Sequence, residues 1–117
     1  MDLAELRDEP VVAFRSSSTV RTLVALAAEQ RGFAPHIAFA TANLATVRAF
    51  VSAGLGVAVV PASALKVPGP PLRAVRLAAP RLERIVTMAR NSSRYESAAV
   101  AAVRQLLARR LRPPSRR

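Results

Sequence analysis

The stretch FATANLATVRAFVSAGLGVAVVP, Phe39 to Pro61, decides the fold. It continues an apolar, β-compatible run that spans Ile37 to Thr41. Asn43 then offers a side-chain acceptor to the free N–H groups of a starting helix, and Leu44, Val47 and Val51 recur at helical spacing up to Gly54. Glycine at that point suits the left-handed conformation that stops a helix. Val57 to Val60 has the apolar, β-branched composition of a strand buried on both faces, and Pro61, with no N–H to give a ladder, ends it. A strand, a helix and a strand joined by short connections make a parallel pair.

Reading outward from that stretch extends the same pattern. Val11 to Phe14 predicts a first strand, and Ser18 can cap a helix over Thr19 to Gln30 that Gly32 ends. Val20, Leu23, Leu26 and Ala27 are expected to face the sheet, with Arg21, Glu29 and Arg31 outside. Arg48 is read as a surface residue like Arg21. The result is an α/β fold whose core is a βαβαβ parallel-sheet lobe over residues 1–65. Downstream, Ala62 to Pro71 is a proline- and glycine-rich connector, Leu72 to Leu77 and Arg84 to Ala89 read as short strands, and a helix starts near Ser97. That helix sets Val100, Val103, Leu107 and Leu111 on one face, which needs a partner surface. Residues 66–112 are therefore expected to form a hinge and a partial second lobe, incomplete by itself, and residues 113–117 a disordered basic tail.

Composition excludes several function classes. The 117 residues contain no cysteine, so neither a disulfide nor a thiolate metal site can be built. The single histidine, His36, falls at the strand end remote from the loops described below and lacks a positioned partner for general acid–base work. Asp2, Glu5, Asp8 and Glu9 cluster at the start, while Glu29, Glu83 and Glu96 are scattered, so no carboxylate pair or oxygen-ligand cage is indicated. The Gly54 to Gly56 pair serves a helix stop rather than a dinucleotide, no phosphate-cradling loop is present, and Tyr95 reads as a packing residue. No enzyme, no cofactor and no metal is expected. The start of the chain lacks the pattern of a secretory signal, and no apolar run reaches the roughly 20 residues of a spanning helix, so a cytoplasmic, membrane-free protein is expected. The net charge of +11 raises one alternative, a small basic protein that coats nucleic acid through counterion release without reading sequence.

Topology locates a binding site. Right-handed crossovers give the three strands one direction, so the loops at their carboxyl ends share an edge, where open α/β sheets bind ligands. The first loop carries Arg15, Ser16, Ser17 and Ser18, leading into Thr19; the second carries Thr41, Ala42 and Asn43; the third follows Pro61 and carries Ser63. Both helices begin there, so their N–H groups and positive ends point at the guest, and Arg15 adds a full charge with a fork suited to carboxylate. Plainer accounts stand beside this one: Ser18 and Asn43 as helix caps, Thr41 as a partner for a backbone group, Arg15 as a solvated charge.

The segments Phe39 to Pro61, Glu9 to Val24 (EPVVAFRSSSTVRTLV) and Arg84 to Leu107 (RIVTMARNSSRYESAAVAAVRQLL) together resemble the effector-sensing domain of LysR-type transcriptional regulators. The resemblance implies a two-lobed fold of the type shared with solute-binding proteins, with residues 1–65 as the far lobe. It implies a small-molecule effector, commonly a carboxylate, held between the lobes at Ser16 to Thr19 and Thr41 to Asn43. It also implies dimerisation through the faces of Thr19 to Gln30 and Ser97 to Leu111, and DNA contact through a winged helix-turn-helix that this chain lacks, so the chain is expected to be a fragment. A solute-binding protein of a transporter is the remaining alternative, one that calls for a signal peptide or lipid anchor.

Overall fold

In the computed structural model, which describes residues 1–84 and 86–111, the protein is a mixed α/β structure with a two-stranded parallel sheet and three α-helices. Two compact units divide the chain, Met1–Ile85 and Val86–Arg117. The lobe boundary expected at residues 65 and 66 lies inside the first of them. The basic tail expected at 113–117 lies outside the described residues.

In the first unit, β1 (Pro10–Phe14) and β2 (His36–Thr41) pair in parallel, with Pro10 opposite His36 and Phe14 opposite Thr41, and a bulge after Val11. The helix α1 (Thr19–Gln30) crosses between them, and α2 (Leu44–Ser52) leads away from β2. The chain then returns to the other side of β1: Val57 bridges Val11 in parallel, its N–H donating to the Pro10 carbonyl at 2.9 Å and its carbonyl accepting from Val12 at 2.8 Å. The common polarity of the three segments is therefore as expected, in the order β2, β1, Val57, and the direction of winding reverses at β1.

The third segment is shorter than a strand. Only Val57 is bridged, and Val57 to Val60 are half-buried rather than enclosed, because all four line an open cleft. Gly56 is what permits the approach: a Cβ there would collide with the Pro10 carbonyl oxygen. The strands expected over Leu72–Leu77 and Arg84–Ala89 do not form among the described residues; the first segment instead runs into a single parallel bridge between Ala79 and Asp2, with Ala78 N–H donating to the Met1 carbonyl at 2.9 Å and Leu3 N–H to the Ala79 carbonyl at 2.8 Å.

Both helices of the first unit end alike. Gly32 at φ 76° and Gly54 at φ 81° take the left-handed conformation. In α1 the Phe33 N–H reaches the Ala28 carbonyl at 3.1 Å and the Gly32 N–H reaches Glu29 at 2.9 Å. In α2 Leu55 reaches Phe50 at 3.1 Å and Gly54 reaches Val51 at 3.0 Å. These are paired six-to-one and five-to-two bonds, which satisfy carbonyls that a helix end otherwise strands.

The core beside α1 is built by an element absent from the sequence expectations. Asp2-Leu3-Ala4-Glu5 forms a capping box on a short 3-10 helix, Leu3–Leu6: Ala4 donates to Asp2 Oδ1 at 2.8 Å and Asp2 N–H donates to Glu5 Oε1 at 3.0 Å. Leu3 and Leu6 are thereby turned inward against Ala27 and Ala28, with Val24, Val57, Val59, Leu77 and Leu82 around them. The buried stripe of α1 thus runs through Ala27 and Ala28, and Leu26, expected inside, is 53% exposed. Asp2 also pairs with Arg31 at 3.1 Å, and Arg7 lies over the Phe33 ring at 5.4 Å, tying the start of the chain to the end of α1.

In the second unit, α3 (Ala98–Arg110) starts at Ser97, whose hydroxyl accepts from Val100 N–H at 3.3 Å. Glu96 is partly shielded and binds Arg104 at 2.7 Å and Arg90 at 3.0 Å. Its carboxyl is held below the ordinary range mainly by the hydrogen bond from Arg104, against a smaller opposing effect of burial, and Arg104 is raised in return. Tyr95 is 93% exposed, contrary to expectation, and Val100, Val103, Leu107 and Leu111 are exposed. No helix among the described residues is long and apolar enough to cross a membrane.

Candidate functional site

The carboxyl ends of β1 and β2 are joined directly. Arg15 N–H donates to the Thr41 carbonyl at 3.1 Å, so the ladder hydrogen bonding of the sheet runs one residue past Phe14 and holds the two exit loops side by side. The first loop turns at once: Ser18 N–H donates to the Arg15 carbonyl at 2.9 Å, which sets Ser16 and Ser17 at the tip of a tight turn, both exposed. Among the described residues, no hydrogen bond engages the hydroxyls of Ser16 and Ser17 or the Arg15 guanidinium.

The two helix starts at this edge differ. Asn43 caps α2, its Oδ1 accepting from Ala45 N–H at 2.8 Å, while its own N–H donates to Thr41 Oγ1 at 3.2 Å. Ser18 occupies the equivalent position on α1, yet its side chain makes no capping hydrogen bond; its carbonyl instead accepts from Thr22 N–H at 3.1 Å and from Thr22 Oγ1 at 3.2 Å. The capping account therefore explains Asn43 and leaves the Ser18 hydroxyl unassigned. Thr41 does satisfy a backbone group.

Arg15, Ser16, Ser17, Ser18 and Thr19 are thus brought together with Thr41, Ala42 and Asn43 on one rim. Ser63 sits apart from them in the hydrogen-bond pattern: it is exposed on a second 3-10 helix, Ala62–Lys66, and no hydrogen bond among the described residues links it to either of the other loops. His36 opens β2 opposite Pro10, at the far end of the sheet from this rim. No group of three or more histidine, cysteine or carboxylate side chains among the described residues could hold a metal ion.

Two arginines expected at the surface are drawn inward, one partly and one fully. Arg21 is half-buried and donates to the Phe14 carbonyl at 3.3 Å, which fastens the first turn of α1 to the end of β1. Arg48 is only 9% exposed. Its Nη1 donates to the Ala64 carbonyl at 3.3 Å and its Nη2 to the Pro70 carbonyl at 3.1 Å, while Nε is buried with no partner. The signal for Arg48 was in the spacing: Leu44, Val47, Arg48 and Val51 fall at i, i+3, i+4 and i+7, which puts the guanidinium stem on the inward stripe of α2.

Comparison with known protein families identifies residues 1–112 as matching the LysR substrate binding domain. No curated protein and no solved structure matches the chain.

Proposed function

Because this chain belongs to the LysR substrate-binding domain family, we propose that it senses a small carboxylate at the rim formed by Arg15 to Thr19 and Thr41 to Asn43. The family is non-enzymatic, and its effector-sensing domains serve transcription regulation by binding small molecules. What supports a carboxylate in this chain is the Arg15–Thr41 hydrogen bond, which keeps a free guanidinium, two free serine hydroxyls and the uncapped start of α1 within one edge. An anion there meets the positive end of α1, N–H donors that no side chain has taken, and a planar fork matched to two oxygens.

Signalling follows by population shift in the cytoplasmic regulator. The effector moves the domain toward the conformation that it binds better, and only by the difference between its affinities for the two. The fold is that of the far lobe of a two-lobed effector domain, and the assembly is a homodimer that passes the change to its DNA-binding heads.

A thermal-shift screen of small carboxylates on the 117-residue chain tests the reading. A stabilising acid whose effect is lost in both Arg15→Gln and Ser17→Ala supports it, and a stabilising acid indifferent to both substitutions overturns it.

A further inference from the structure

The first unit contains a cleft of about 740 Å³ that the rim does not use, since none of Arg15 to Thr19 or Thr41 to Asn43 lines it. Two stretches of backbone wall it. Val57 to Val60 runs without turn or bend from the bridge at Val57, and Leu72 to Leu77 runs likewise toward the bridge at Ala79. Every residue of both stretches lines the cavity. Because successive residues of an extended chain point to opposite faces, a cavity that touches all of them follows the backbone edge rather than one face.

These edges are unpaired. The N–H and carbonyl of Val57 go to β1, which turns those of Ala58 and Val60 the other way, and among the described residues no hydrogen bond engages the backbone of Ala58, Val59 or Val60. The same holds from Leu72 to Val75. Yet the walls are fixed. Arg48 donates to the Ala64 carbonyl, beyond the first stretch, and to the Pro70 carbonyl, ahead of the second. Met1 holds the other end of the second stretch, its ammonium donating to the Arg76 carbonyl at 3.3 Å and its carbonyl accepting from Ala78 N–H at 2.9 Å. Half-buried backbone groups without partners need water or another chain, and an unpaired strand edge is a template for an added strand.

Side chains fix the kind of strand. Leu23 of α1, Leu44 and Val51 of α2, and Leu65 give the cleft apolar walls. Its exposed charges are Arg73, Arg76, Arg81, Arg84 and one acid, Glu83, already paired with Arg81 at 2.8 Å. A second copy of this chain, at net +11, brings like charge. A nucleic acid brings phosphates for the arginines, but its backbone has no N–H for the free carbonyls of Ala58 and Val60 and nothing apolar for the walls. A peptide in which apolar side chains alternate with Asp or Glu meets the edge, the walls and the arginines at once.

We propose that this cleft is a docking slot for an extended acidic–apolar segment of a partner protein, added as a strand along Ala58 to Val60. Ladder hydrogen bonds to Ala58 and Val60 supply affinity, the alternate apolar side chains are withdrawn from water against Leu44 and Val51, and the carboxylates pair with Arg73 and Arg76. Arg48 acts only as the tie that holds the walls in place. The slot is independent of the rim and does not rest on the reading given for it.

The test is titration of the full chain with a capped heptapeptide alternating valine and glutamate, read by calorimetry and by amide NMR with hydrogen exchange. Binding is expected to shift the amides of residues 57–60 and 72–77 and to slow exchange at Ala58 and Val60. Lysine in place of glutamate, or N-methylation of alternate peptide nitrogens, should each weaken binding about tenfold, the first through charge and the second through the ladder. Arg73→Glu combined with Arg76→Glu, both at exposed positions, should do the same, and Ser17→Ala should change nothing. Absence of binding, equal binding of the lysine or N-methylated peptide, shifts confined to residues 15–19 and 41–43, or displacement of the peptide by an oligothymidylate that moves the same amides would each overturn the proposal. The peptide comparisons use the unmodified chain and stand even where the double arginine variant fails to fold.

Discussion

Gly69 lies against the guanidinium of Arg48 so closely that a Cβ on it would stand 2.6 Å from Nε and 3.4 Å from Nη2. The head of Arg48 cannot swing aside without releasing the Ala64 or Pro70 carbonyl, because it is pinned to both. Gly69→Ala is therefore expected to destabilise the first unit by about 2 kcal/mol, as overpacking of a fixed neighbour does. Chemical denaturation measures it, and a cost near zero would mean that the guanidinium is free to move.

Gly56 and Gly54 should respond differently to the same change. At Gly56 the added carbon meets the Pro10 carbonyl, a backbone atom of the bridge that holds Val57 to β1. At Gly54 there is open space, and only the left-handed backbone at φ 81° opposes a side chain. Gly56→Ala is expected to cost about 3 kcal/mol and Gly54→Ala about 1 kcal/mol. Equal denaturation midpoints for the two variants would contradict the parallel bridge.

Asn43 and Ser18 hold the same position on successive helices with different hydrogen bonding. Asn43→Ala loses a cap and is expected to lower stability by about 1 kcal/mol, whereas Ser18→Ala, which removes no capping bond, should leave the melting temperature nearly unchanged. A loss for Ser18→Ala as large as for Asn43→Ala would return Ser18 to a structural role.

Asp2 makes stability depend on acid. Its carboxyl is lowered by the Ala4 N–H first and by the Arg31 hydrogen bond next. A carboxylate depressed in the folded state stabilises the fold above its unfolded pKa, and that contribution disappears as pH falls through the folded value. Asp2→Asn should therefore be less stable than the parent at neutral pH, with the gap closing through the acidic carboxylate range. Denaturation midpoints of the two proteins across pH read this out; a gap that widens in acid would assign Asp2 the opposite sign.

Much of the first unit was legible in the sequence because its signals are local. The bounds of α1, the Asn43 cap and the glycine stops at 32 and 54 depend on a few adjacent residues, and each is found where the spacing puts it. What was not legible depends on contacts made across the chain. Val57 to Val60 has the composition of an enclosed strand, but enclosure requires a covering layer, and a cleft lies there instead. Leu72 to Leu77 alternates like a strand, but its partner is the start of the chain, which meets it only at the single Asp2–Ala79 bridge just beyond Leu77. The N-terminal capping box was within reach of sequence reading, since Asp2 and Glu5 stand at the right spacing around Leu3. The rim loops were located from topology alone, while Arg48 was passed over because an arginine in a helix suggests an outer face.

Backbone-amide NMR of the 117-residue chain, titrated with a panel of short-chain carboxylates, tests the central claim most directly. At least one acid is predicted to give saturable shifts concentrated at Arg15 to Thr19 and Thr41 to Ala45, where the exits of β1 and β2 are held together. A panel in which no acid moves those amides, or in which every shift falls elsewhere in the first unit, would contradict it.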